Sequence, residues 1–166
     1  MKADRIEGFN SDLIDEIGKS NDGDKLYRLS DNQAFSIALH QILNNLYEAD
    51  PNGLNEPQMN LFLSMHLENS GQSCGILACL QEWFPQHLNK FVPALKEIKA
   101  LKSALAVEKA INLLPEDGSW FFESANDSTK FLMREYDCYF SDYPDGSMPD
   151  LYRAYAEEHK VAILNF

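Results

Sequence analysis

An all-α fold, a single compact domain of seven to eight short helices, follows from three observations. Helix start and stop signals recur along nearly the whole chain. Between them, apolar residues return at helical spacing. No segment sustains period-two alternation, and Val and Thr, the β-branched residues that strands favour, are scarce. At 166 residues one domain is the natural expectation, and a chain this long can bury about 70% of its unfolded surface.

Residues 1–30 read as an N-terminal helical extension that ends in a polar linker, Ser20–Lys25; residues 31–166 read as the main domain. Ser30 with Gln33 makes a capping box, and Phe35, Leu39, Ile42, Leu43 and Leu46 carry the helix to a stop at Asp50-Pro51. Asn55, followed by Glu56-Pro57-Gln58, opens a second helix. Its Met59, Leu61, Phe62, Leu63, Met65 and Leu67 fall on nearly every side, the mark of a buried central helix. Asn69-Ser70-Gly71 is expected to end it. A third helix is expected from about Ser73 to Phe84, with Gly75, Ala78 and Cys79 small enough for close contact. Pro93 suits the first turn of a short helix to Lys99. Ser103 starts the next, which Pro115 stops. Trp120-Phe121-Phe122 reads as core filling. Asn126–Ser128 caps a helix with an apolar stripe of Leu132, Tyr136, Tyr139, Phe140 and Tyr143. Tyr143-Pro144-Asp145-Gly146 is a turn, and Pro149 starts the last helix, whose apolar side is Leu151, Tyr152 and Tyr155.

Charge is unevenly spread. The chain carries 26 acidic and 14 basic residues, a net −12. From Arg28 to Lys90 no cation intervenes, although Asp31, Glu48, Asp50, Glu56, Glu68 and Glu82 lie between them. Residues 90–110 reverse the sign, at +3, and residues 111–166 sum to −7. Such a surface repels nucleic acid and acidic membranes and attracts basic partners. Acidity serving solubility alone is the plain alternative. The lysine-bearing stretch offers a self-association surface to an acidic face, so a homodimer is one candidate assembly; a solvated helix face is the plainer explanation.

Several chemistries are disfavoured. Met1–Arg5 leads into no apolar stretch, and no apolar run is long enough for a membrane helix. Cys74, Cys79 and Cys138 include no Cys-x-x-Cys pair, which fits reduced thiols in a cytoplasmic protein. His40, His66, His87 and His159 show no zinc spacing. Asp142-x-x-Asp145-Gly146 has the wrong spacing for a calcium loop, and no glycine loop cradles phosphate, so neither metal nor cofactor is expected. Gly71-Gln72-Ser73-Cys74-Gly75 formally matches the G-x-S-x-G nucleophile elbow, which needs a preceding strand. Here a helix precedes it, and Ser73 reads better as an N-cap. A hydrolase using Ser73 or Cys74 therefore ranks last, and the protein reads as a non-enzyme.

Carboxylate patterning remains. Glu135 and Asp142, and again Asp150 and Glu157, are seven residues apart. That spacing puts each pair on one helix face, about 10 Å apart along the axis. Glu158 flanks the second pair and Asp145 sits in the turn between. All six are expected to be exposed. Together they form the candidate surface for Lys and Arg side chains of a basic partner.

The order of these pieces resembles the bacterial DNA-mimic family, whose type member is a small acidic helical protein from Neisseria and much of which is known only as a domain of unknown function. The resemblance spans roughly residues 55–160. It rests on Leu54-Asn55-Glu56-Pro57-Gln58, Glu68-Asn69-Ser70-Gly71 and Ala94-Leu95-Lys96-Glu97-Ile98-Lys99-Ala100. It continues in Tyr136-Asp137-Cys138-Tyr139-Phe140 and Asp150-Leu151-Tyr152-Arg153-Ala154-Tyr155. Where the family has Asn-Gly-Gly-Phe this chain has Asn69-Ser70-Gly71-Gln72, and its Ile98-Lys99-Ala100 lacks the family's central glycine. The resemblance implies an all-α fold and an acidic surface presented to a DNA-binding protein, such as a transcription factor, in place of DNA. An immunity-type protein that neutralises a basic toxin nuclease would use the same electrostatics.

Overall fold

The computed structural model describes residues 4–166 and bears out the all-α class. Among the described residues there is no strand, only an isolated parallel bridge between Ile6 and Leu29. Of the eleven α-helical segments among the described residues, four are single turns of three or four residues and seven are longer. The contacts group the chain into two compact units: residues 1–62 with 147–166, and residues 63–146.

In the first unit, α1 (Ser11–Ser20) and α10 (Met148–Glu158) pack on α3 (Asn32–Ala49). Ile14 and Ile17 of α1, Phe35, Leu39, Ile42 and Leu43 of α3, and Tyr152 and Tyr155 of α10 are all buried. Gly18 leaves room for Gln41, whose side chain a Cβ would strike. Residues 20–25, expected to be a polar linker, carry the left-handed cap Asn21 and begin the single turn α2 (Gly23–Leu26), whose Leu26 is buried. The cap of α3 is Asp31, which accepts from Ala34 N at 2.8 Å, rather than Ser30. Ser30 is taken by the bridge: its hydroxyl donates to Ile6 O at 3.0 Å.

Helix α4 (Glu56–Ser73) opens as expected. Asn55 Oδ1 accepts from Gln58 N at 3.1 Å, and Gln58 Oε1 accepts from Asn55 N at 3.0 Å. Leu61, Phe62, Leu63, Met65 and Leu67 are buried, in keeping with an all-round apolar helix. Gln58 and Asn55 also hold the last turn, α11 (Lys160–Ile163), through Ile163 O at 3.1 Å and Ala162 O at 2.8 Å.

In the second unit, α4 runs past the expected stop to Ser73, and Gly75, at φ +93°, makes the break. The expected third helix is interrupted: the turn α5 (Ile76–Ala78), a π-helical turn at Cys79–Trp83 and a 3-10 turn at Pro85–Lys90. Pro85 explains the interruption, because it forces Phe84 out of helical geometry. Then come α6 (Phe91–Glu97) and α7 (Leu101–Ile111), followed by the single turn α8 (Phe121–Ser124) and α9 (Asp127–Ser141). α7 packs on both α6 and α9. Within the Trp120-Phe121-Phe122 cluster only Phe121 is core; Phe122 is 51% exposed. Gly71 meets the Phe140 ring: a Cβ would sit 3.1 Å from its carbons, so glycine permits this approach of α4 to α9.

The stripe expected on α9 is only partly correct. Met133 and Phe140 are buried, whereas Leu132, Tyr139 and Tyr143 are 39%, 49% and 40% exposed. Both sides of α9 carry apolar residues at helical spacing, so periodicity alone does not choose between them.

Candidate partner-binding surface

Glu135 projects from α9 and Asp142 caps its C-terminal end; both are exposed, and neither joins an ion pair among the described residues. They lie in the second unit, while Asp150, Glu157 and Glu158 lie on α10 in the first. Those three are also exposed. Asp150 and Glu157 are held by neighbouring side chains. Asp150 Oδ1 accepts from Asn32 Nδ2 at 2.8 Å. Glu157 accepts from Arg153 Nε and Nη2, both at 2.8 Å.

Arg153 is itself part of the fold. Its guanidinium lies 4.2 Å from the centre of the Phe35 ring and donates to Leu29 O at 2.8 Å. The cation that dilutes the carboxylates of α10 is therefore anchored, and it halves the net charge of the Asp150–Glu157 pair.

Asp145, expected to be solvent-exposed, is placed otherwise. It is half-buried and accepts three hydrogen bonds: from Lys102 N at 3.0 Å, Ser103 N at 2.7 Å and Ser103 Oγ at 2.7 Å. Helix α7 begins at Leu101 behind Ala100, which has no capping side chain. Asp145 supplies that cap from 42 residues away in sequence. Its charge is spent on the positive end of α7.

A family model described as DMP19-like protein matches residues 52–159. The chain belongs to the DMP19-like family, a family of DNA mimics. Comparison with curated proteins and with solved structures returned no significant match.

In this DMP19-like chain, Glu135 stands in company that sequence reasoning missed. A groove between α7 and α9, about 310 Å3, is lined by Lys102, Leu105, Lys109, Glu135, Tyr136 and Tyr139. Leu101 and Leu105 are 60% and 51% exposed, and Lys109 Nζ lies 5.9 Å from the centre of the Tyr136 ring. Exposed apolar side chains gathered beside charged ones mark an interaction surface. The available signal was the surplus of apolar residues in α9, more than one buried face can absorb.

The other sequence candidates have structural roles. Ser73 ends α4 instead of capping a helix: its hydroxyl donates to Asn69 O at 2.8 Å, the carbonyl one turn back. Cys74 and Cys138 are exposed, while burial pushes the Cys79 thiol up to about 12. Burial lowers His40 to about 4, and burial with the Lys90 charge lowers His87. Glu68 is pushed up to about 7 by burial, and its Oε2 has no hydrogen-bond partner among the described residues. No group of three or more His, Cys, Asp or Glu among the described residues could hold a metal ion. None of the described helices is long and apolar enough to cross a membrane.

Proposed function

We propose that this chain is a non-enzymatic acidic protein that occupies the nucleic-acid site of a basic DNA-binding protein, such as a transcription factor. The supporting observation is the exposed, unpaired Glu135 and Asp142, held seven residues apart by one rigid helix in a member of a DNA-mimic family. A carboxylate that is not held in an ion pair is available to the Lys and Arg side chains that otherwise grip phosphates. Being fixed on a helix, it loses little freedom when they engage it. The net charge of −12 adds a long-range attraction that speeds encounter with a basic partner.

The test is affinity capture from the native cell extract at low and at physiological salt, followed by DNA competition with the captured protein. Binding should weaken steeply as salt rises, because exposed charges are screened over about 8–10 Å. A variant carrying E135Q, D142N, D150N, E157Q and E158Q, with Asp145 retained for α7, should bind weakly and fail to displace DNA. If that variant captures the same protein and displaces DNA as well as the parent does, the proposal is wrong and acidity serves solubility alone.

A further inference from the structure

The second unit holds a cavity that the acidic surface does not use. It is about 210 Å3 and lies where the start of α5 meets α9. Ile76, Leu77, Phe122 and Met133 give it an apolar floor; the first two and Met133 are 0%, 7% and 4% exposed. On one wall Lys130 and Arg134 stand one turn apart on α9. Neither forms an ion pair among the described residues. In a chain with 26 carboxylates and 14 cations, two adjacent cations without a carboxylate partner are contrary to what charge balance favours. One of them, Lys130, is half-buried and so has given up part of its hydration. Asp137 also lines the cavity, but its carboxylate is engaged at the wall: its Oδ1 accepts from Ile76 N at 2.9 Å and the group lies against Gly75, so the two cations leave the lining with a net positive charge.

We infer that this cavity is a binding site for a small apolar monocarboxylate, with the hydrocarbon body on Ile76, Leu77, Phe122 and Met133 and the carboxylate on Lys130 and Arg134. The volume sets the size. An apolar cavity of about 150 Å3 takes a benzene ring, and drug-sized ligands need about 300 Å3 or more. A body of about eight to twelve non-hydrogen atoms therefore fits. The charge sets the sign: an alcohol of the same length would fill the floor and leave both cations unanswered. The site carries the opposite polarity to the proposed partner surface, so the two functions are separable.

Cys74 lines the same cavity and reports on it. Cys138 is exposed and is replaced by Ser to leave one reactive thiol, since the Cys79 thiol is buried. The experiment follows the alkylation rate of Cys74 by iodoacetamide in the full-length C138S protein as octanoate is added. Octanoate should slow the reaction saturably, with half-protection between about 0.05 and 1 mM. Octanol, the neutral probe, should need about tenfold more, and K130Q/R134Q should weaken octanoate protection by about tenfold or more. Both replaced side chains lie outside the core, so the fold is retained. No protection at about 3 mM octanoate overturns the inference. So does equal protection by octanol, or undiminished protection in the double variant.

Discussion

Removing the Asp145 carboxylate tests whether α7 is capped from a distance. In Asp145→Ala, the first turn of α7 loses acceptors for Lys102 N and Ser103 N, and the Ser103 hydroxyl loses its acceptor as well. Loss of an N-cap costs about 0.5–2 kcal/mol, and a carboxylate at the helix N-terminus contributes about 0.3–1 kcal/mol more. Ser103 is 2% exposed, so water does not readily replace the lost partner. A buried hydroxyl left unsatisfied adds about 1–3 kcal/mol. These terms overlap, and the expected total is about 2–3 kcal/mol, with Asp145→Asn near 1 because one amide oxygen still accepts. For a chain of this size 1 kcal/mol moves the melting temperature by about 2–4 °C, so the Ala variant should melt about 4–12 °C below the parent. Circular dichroism at 222 nm during thermal and urea unfolding measures this. The comparison is Asp142→Ala, which removes an exposed carboxylate without an ion pair and should fall within about 0.5 kcal/mol of the parent. Equal effects at the two positions would refute the capping argument and return Asp145 to the set of solvent-facing carboxylates.

Glu68 has a folded pKa raised from 4.5 to about 7 by burial, so its contribution to stability is complete below about 4.5 and is lost as pH rises through about 7. Glu68→Gln should be nearly neutral in urea unfolding at pH 4.5 and more stable than the parent at pH 8, by up to about 3 kcal/mol; a variant with the parent's pH dependence would contradict this. Lys99 sits at φ +67°, a conformation that glycine adopts without strain, so Lys99→Gly should raise the urea midpoint by the equivalent of about 0.5–1 kcal/mol, and a lowered midpoint would contradict it. Leu105→Ser with Tyr139→Ser should leave the melting temperature nearly unchanged yet reduce partner affinity without altering its salt dependence, measured by titration at two ionic strengths; an unchanged affinity would exclude the groove from the interface.

The parts of the fold that were legible in the sequence are those fixed by neighbours in the chain. The Asn55–Gln58 reciprocal cap, the Asn126 cap of α9 and the turn closed by Gly146 N to Tyr143 O at 2.9 Å each involve residues within a few positions of one another. The misread parts depend on distant partners. Ser30 yields the cap of α3 to Asp31 because Ile6, 24 residues earlier, claims its hydroxyl. Asp145 looks like a turn residue until the uncapped start of α7 meets it. The inward side of α9 is chosen by α7 and by Gly71 of α4, which admits the Phe140 ring and leaves Leu132 and Tyr139 in solvent. An apolar residue count identifies helices, but the neighbours decide which of two apolar faces is buried.

The same distinction bears on the electrostatics. Six carboxylates of the last third looked equivalent in sequence, yet their oxygens are committed differently. Asp145 is spent on a helix terminus, Glu157 on an anchored arginine and Asp150 on the Asn32 amide. Glu135 and Asp142 have no such commitment. A partner's lysine meeting Glu157 must compete with Arg153, whose guanidinium is held by a carbonyl and an aromatic ring and cannot leave. A lysine meeting Glu135 or Asp142 breaks no existing ion pair. Net charge therefore overstates the surface available for mimicry. On the proposed reading the discriminating carboxylate is Glu135, which lines the α7–α9 groove with Leu105 and Tyr139; those side chains would exclude water from a contact there and strengthen it.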